Sequence, residues 1–337
     1  MTNKLSFSEV NLTMKKATVT KVFTLFLCLL GTVFSTSAQH SIEGHWEGTM
    51  IREGAQLPVS FDFINEDAGL KVSFNSPTQR ALGIPIRNIS FVAPKIHFEL
   101  IGDTTTIVFD GDLSGGIIAG QFQENTAKGT FSLQRVTAKP PVFKQEEVSF
   151  RNRDVILSGT LLIPLTDGPH PVVVFLHGSG SEGRHASRFL AEYLTGRGIA
   201  ALIYDKRGVG KSTGDWKLSD FNDLAADAMA GIDLVRGRKE INAHKIGLYG
   251  HSQGGMLAPL VASRSKDVAF VISAAGSAVP LYEAEVNSIV NQVRDQGVSG
   301  SDLADATLFI KIFVDVLRTG KGWEQFETAT EKARNAK

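Results

Sequence analysis

The sequence predicts an α/β fold in which a mostly parallel sheet, covered by helices on both faces, follows a small antiparallel β-domain. Three observations carry this. The apolar runs PVVVFLHG and IAALIYD are unbroken, as strands buried on both faces require. Helix-periodic stretches such as ASRFLAEYLTGRG separate them, and strand–helix–strand alternation implies right-handed crossovers within one sheet. Upstream, residues 41–136 hold short segments with a period of two, among them VSFDF and KIHFEL, bounded by turn residues.

The elements follow in order. Lys15, Lys16 and Lys21 precede an apolar run over 22–34 that ends in Ser35, Thr36, Ser37 and Ala38, the pattern of a secretory signal peptide. We assign residues 1–38 to it and expect an exported, periplasmic or extracellular protein. The run is shorter than the roughly 18 residues of a membrane span, so no permanent membrane anchor is expected. Cys28, the single cysteine of the 337 residues, lies inside this run, so the mature chain has no disulfide to draw on. Residues 39–138 form the β-rich domain, where His45, Trp46 and His97 read as packing residues, Trp46 as a core anchor. A proline-stiffened linker, TAKPPVF, follows and is bounded at 139–144.

Residues 145–280 carry the α/β pattern. DVILSGTLLIP is a strand, the stretch from Ser219 and Asp220 onward is a capped helix, KIGLYG is a strand, GMLAPLVASRS a helix and VAFVISAAG a further strand. From 281 to 337 the pattern is helical. The 35 basic residues balance 35 acidic ones and the pI is about 7.1, so no face is expected to attract nucleic acid.

The chemistry centres on LYGHSQGG, residues 248–255. Gly250, Ser252 and Gly254 spell G-x-S-x-G between a strand and a helix, the context in which a serine is thrust outward as a nucleophile. Gly250 and Gly254 remove Cβ atoms where strand and helix crowd. The glycine-rich loop FLHGSGSEG, closing the strand before it, supplies one backbone donor for an oxyanion, Ser179 N–H. Gln253 N–H is the other. Gly178 and His177 support that loop, with His177 a holder and not a base. His251 adjoins the nucleophile, and adjacent side chains at a sharp turn diverge, so it is not the base either. DKRGVGKSTG ends like a phosphate-binding loop, but Asp205 stands where its first glycine belongs, so nucleotide binding is not expected. No metal-ligand spacing is present, and neither metal nor cofactor is expected.

FLHGSGSEGR, YDKRGVGKSTG and LYGHSQGG, in this order, resemble the α/β-hydrolase superfamily, in its branch of exported bacterial esterases related to serine aminopeptidases and prolyl-oligopeptidase-like hydrolases. GHWEGTM and GIPIRNISF resemble the β-rich domain that precedes the hydrolase domain in some of them. The resemblance implies Ser252 as nucleophile on small carboxylic esters through an acyl-enzyme, Asp205 and Arg207 as shapers of a structural loop, and the helices of 281–337 as a cap. It also implies a triad acid and a histidine downstream of Ser252. No histidine follows Ser252 in the sequence, and Asp267, Asp295, Asp302, Asp305 and Asp315 all precede the place of the acid. The expectation is therefore a C-terminally truncated, incomplete sheet and a chain that is weak or inactive. The alternatives are a peptidase-like hydrolase and a non-catalytic envelope-binding protein. The oligomeric state is left open.

Overall fold

The structure is a computed structural model that describes residues 41–67, 69–102 and 105–335. The expected signal peptide lies outside the described residues. The chain divides into two compact units, with the boundary between Pro141 and Val142.

The first unit is larger in sheet than the sequence led us to expect. It is one antiparallel sheet of nine strands, in the spatial order β4-β3-β2-β1-β9-β8-β7-β6-β5. In chain order these are β1 (Gly44–Arg52), β2 (Ala55–Glu66), β3 (Gly69–Ser76), β4 (Ala81–Pro85), β5 (Arg87–Val92), β6 (Lys95–Ile101), β7 (Thr106–Ser114), β8 (Ile117–Glu124) and β9 (Ala127–Val136). The period of two puts one set of side chains inside: Phe61, Phe63, Phe98 and Phe109 are fully buried around Trp46, and Phe98 stacks on Phe109 at 4.7 Å. The edge strands β4 and β5 are separated in sequence by Ile86 alone, whose N–H donates to Val72 O on β3 at 2.9 Å, so the sheet curls nearly into a barrel. Trp46 is a core residue, its Nε1–H donating to Ile42 O at 2.8 Å. His45 and His97 sit on the outer face, paired with Asp62 at 2.6 Å and Asp110 at 2.8 Å.

The second unit holds a six-stranded mixed sheet in the order β10-β11-β13-β12-β14-β15. β10 (Phe143–Asn152) and β11 (Val155–Pro164) form an antiparallel hairpin, and β11 is antiparallel to β13 (Ala200–Tyr204). β10 takes in the last residues of the expected linker, because Phe143 and Lys144 already pair with Pro164 and Ile163. β13, β12 (His170–Leu176), β14 (Ile241–His251) and β15 (Val268–Ala274) run parallel. Helices α1 (His185–Thr195), α2 (Phe221–Arg236) and α3 (Gln253–Arg264) make the crossovers. α2 starts at Asp220, which accepts from Asn222 N–H and Asp223 N–H while Asp223 returns a bond to Asp220 N–H, a reciprocal capping box. Ser219, expected as a candidate cap, instead accepts from Arg207.

Burial follows the sequence pattern: every residue of β13 is buried, as are Val172–Leu176 of β12. β15 differs. Among the described residues it is the sheet's edge, and its Phe270 and Ile272 are exposed. Three helices follow, α4 (Leu281–Asp295), α5 (Gly300–Thr319) and α6 (Trp323–Asn335), with a small core of their own around Val286, Val290 and Ile310.

Candidate active site

Ser252 stands alone between the end of β14 and the start of α3, at φ 54° and ψ −114°. An L-residue in this region is strained by about 1–3 kcal/mol and persists only where its surroundings over-determine it. Here they do. Ser252 N–H donates to Ala274 O at the end of β15 at 2.8 Å, and Ser252 O accepts from Gly255 N–H at 2.9 Å. A Cβ on Gly250 would lie 1.9 Å from Gly254 O, and one on Gly254 would lie 2.4 Å from Leu176 O of β12. Both glycines are therefore required by backbone contact, and the turn is held against both neighbouring strands.

Helix α3 contains Pro259, which has no N–H to give to the carbonyl four residues back. That carbonyl belongs to Gly255, beside the nucleophile, and Ser273 Oγ of β15 donates to it at 2.9 Å in place of the missing helix bond. The buried Leu257, Ala258 and Val261 fix the helix against the sheet. Its first N–H groups, Gln253 N–H foremost, have no acceptor within the helix and leave positive potential at the turn.

The loop after β12 faces this helix start. His177 is buried, its Nε2–H donates to Tyr204 O at 2.5 Å, and its ring meets the Tyr204 ring edge-on at 4.5 Å. Burial drives its pKa down to about 4, with the bond to the Tyr204 carbonyl acting in the other direction. A neutral imidazole whose Nε2 proton is committed to a carbonyl anchors the loop and cannot receive a proton there. Gly178 N–H donates to Glu182 Oε2 at 2.7 Å, so that donor is already engaged. The next N–H in the chain is that of Ser179, which is exposed. Ser252, Gln253, Ser179, Gly178 and His177 thus come from two adjacent parallel strand ends. His251 is the exposed last residue of β14.

The loop after β13 holds three buried charges. Asp205 accepts from Arg184 Nε at 3.1 Å, Arg184 NH2 at 2.9 Å and Lys211 N–H at 3.1 Å. Burial pushes its carboxyl up, but these bonds together outweigh burial and hold it below the ordinary carboxylate range. The G-K-S turn therefore wraps the chain's own carboxylate: a Cβ on Gly210 would lie 2.5 Å from Asp205 Oδ2. Arg207 forms a bidentate pair with Asp227 of α2, both bonds 2.7 Å, and Asn152 of β10 also donates to Asp227 at 2.7 Å. Between these two lies Lys206, whose ammonium donates to Gly178 O at 2.9 Å, Gly180 O at 3.2 Å and Gln253 Oε1 at 3.0 Å.

Lys206 and Ser273 escaped the reading of the sequence. Lysine is among the residues least often buried, so a buried one leaves no trace in composition. Ser273 was findable, because a proline seven residues into a helix orphans a carbonyl that something must satisfy. The unassigned acids stand in pairs or on the helices: Asp267 with Arg236 at 2.8 Å, Asp305 with Lys332 at 3.2 Å and Asp315 with Arg318, while Asp295 ends α4 and Asp302 lies in the first turn of α5. No group of His, Cys, Asp and Glu suited to a metal ion occurs among the described residues.

A serine held at positive φ between a parallel strand and a helix, with a glycine loop from the neighbouring strand beside it, has the geometry of a nucleophile elbow. Residues 167–310, from just before β12 into α5, match the family model described as serine aminopeptidase, S33. Esterase EstD of Thermotoga maritima is 29% identical over 193 residues, covering 53% of this chain and 45% of that protein. The quorum-quenching protein AidA of Acinetobacter baumannii is 31% identical over 128 residues, covering 38% of this chain and 42% of that protein. An esterase structure from Pyrococcus furiosus is similar over 53% of this chain and 70% of that one, at 23% identity and a TM-score of 0.38. Over residues 167–310 the chain is thus similar to the serine aminopeptidase, S33 family, and in part to an esterase. It spans less than half the length of the curated relatives named here.

Proposed function

We propose that the protein is a serine hydrolase of small carboxylic esters that forms an acyl-enzyme on Ser252. The observation that carries this is the strained Ser252, held at the start of α3 by contacts to two neighbouring strands, and we assign Gln253 N–H and Ser179 N–H as its oxyanion donors. In the first step the Ser252 Oγ adds to the ester carbonyl, the C=O electron pair moves to oxygen, and the two N–H groups stabilise that charge. Ser252 gives up its hydroxyl proton to solvent, and collapse breaks the bond to the alkoxide, which takes a proton from solvent and leaves as the alcohol while the acyl group stays on the serine. A donor aimed at such an oxyanion is worth about a hundredfold or more in rate.

The proton of Ser252 is the weak point. His177 is committed to Tyr204, His251 precedes the nucleophile at an exposed strand end, and no histidine follows it. Loss of the histidine from a serine triad lowers turnover by about 10⁶, so residues 1–337 by themselves are expected to acylate slowly and turn over little. Its similarity to an esterase supports an ester substrate of small size. The basic-then-apolar pattern of residues 1–38 supports export.

The test pairs a fluorophosphonate probe with a p-nitrophenyl ester and an aminoacyl amide. Labelling of Ser252 that is lost in Ser252→Ala, with ester consumed ahead of amide, is the expected result. Labelling that survives Ser252→Ala would remove the serine from its role, and preference for the amide would make the protein peptidase-like.

A further inference from the structure

Each oxyanion donor belongs to a peptide unit or residue that something must hold at a fixed angle, because the donors act only where the charge develops. Ser179 N–H shares its peptide plane with Gly178 C=O, since the carbonyl of one residue and the amide of the next form one rigid unit. Gly178 O accepts from Lys206 Nζ at 2.9 Å. The same ammonium donates to Gly180 O at 3.2 Å, on the far side of Ser179, and to Gln253 Oε1 at 3.0 Å, on the residue bearing the second donor.

From this geometry we propose that Lys206 is a positioning residue that sets both oxyanion donors at once, fastening the loop after β12 to the start of α3. The inference rests on the reading of Ser252 as the nucleophile. Its three N–H bonds are all spent on these acceptors, so the ammonium is satisfied without touching substrate. By pulling on Gly178 O it also polarises the peptide unit and strengthens Ser179 N–H as a donor.

Lys206 is itself held. Its side chain is buried, the Trp216 ring lies 5.0 Å from the ammonium, and its own N–H donates to Glu182 O at 3.3 Å. Glu182 in turn accepts from Gly178 N–H at 2.7 Å, which turns that amide away from the site and leaves Ser179 N–H as the loop's donor. Asp205 and Arg207, on either side of Lys206, anchor the backbone through Arg184 and Asp227. The sequence DKR thus contains two structural pins with the positioning ammonium between them.

The experiment uses the full chain as wild type, Lys206→Met, Lys206→Arg and Gln253→Leu, with two readouts. One is the rate of fluorophosphonate attachment to Ser252, and the other the ¹⁵N–¹H amide resonances of Ser179 and Gln253. Lys206→Met is expected to slow labelling about 10²-fold and to move both amide resonances together. Lys206→Arg, which keeps charge and donors, should recover most of the rate. Gln253→Leu should move its own amide and leave that of Ser179 in place, and it avoids the risk that a buried lysine replacement fails to fold. Equal slowing in the Met and Arg variants would reduce Lys206 to packing and overturn the proposal, as would wild-type labelling in Lys206→Met. If wild type itself does not label at Ser252, the nucleophile reading fails. The amide resonances then decide the clamp alone, and unchanged signals in Lys206→Met refute it.

Discussion

Acidification separates the two roles open to His177. Its folded pKa of about 4 stands against about 6.5 for a free imidazole. Between these values the unfolded chain binds a proton that the folded chain refuses, so stability is greatest above about pH 6.5 and falls as pH drops toward 4. Integrated from pH 7 to 4.5, the loss from this one group is about 2 kcal/mol. Other groups titrate in the same window. Asp205, held low by its Arg184 and Lys211 bonds against burial, loses stability only at still lower pH, and His97, raised by its bond to Asp110, acts in the opposite direction. The isolating comparison is therefore wild type against His177→Asn, each unfolded in urea at a series of pH values. The variant is expected to be less stable at pH 7, since it loses the bond to Tyr204 O, but its stability should fall less steeply by about 2 kcal/mol over this range. Parallel pH profiles would show that His177 is protonated in the folded protein. The loop-anchor assignment would then be wrong and His177 would return as a candidate base.

Three further outcomes follow from the elbow and its supports. Gly250→Ala puts a methyl 1.9 Å from Gly254 O, more than an ångström inside contact with backbone that cannot swing aside. Ser252 labelling should fall about 10²-fold, as measured by probe kinetics. Ser273→Ala strips the carbonyl of Gly255 of the donor that replaces Pro259. Because Ser273 is exposed, the cost in urea unfolding should be only about 1 kcal/mol, with labelling slowed as the elbow loosens. Asp227→Ala leaves the Arg207 guanidinium buried without its bidentate partner and should destabilise by about 3–5 kcal/mol, read as a lower urea midpoint.

Much of this was legible in the sequence, for identifiable reasons. β12 and β13 announce themselves because strands buried on both faces have no polar face to interrupt the apolar run. The elbow was legible because glycine is the only residue that fits at 250 and 254, so the constraint is written in residue type. The extent of the first sheet was not. Each short segment declares a strand, but nothing local says that nine of them share one sheet curled through Ile86. The G-K-S turn misleads for a related reason: glycine and lysine around an anion look alike whether the anion is a phosphate or the chain's own Asp205. Lys206 was hidden because its value lies in three acceptors brought together from one loop and a helix start, 26 to 47 residues away.

On our proposal Ser252 is a nucleophile with Gln253 N–H and Ser179 N–H as its oxyanion donors, and within residues 1–337 no histidine follows it. The most direct test is intact-mass analysis of the full chain with p-nitrophenyl acetate, followed in time from pH 6 to 9. A single acetyl group should build slowly on Ser252 and be absent in Ser252→Ala. Its rate should climb with hydroxide concentration and show no inflection near an imidazole pKa of about 6.5. Rapid repeated turnover with an inflection in that region would contradict the account, because it would place a working base within reach of Ser252.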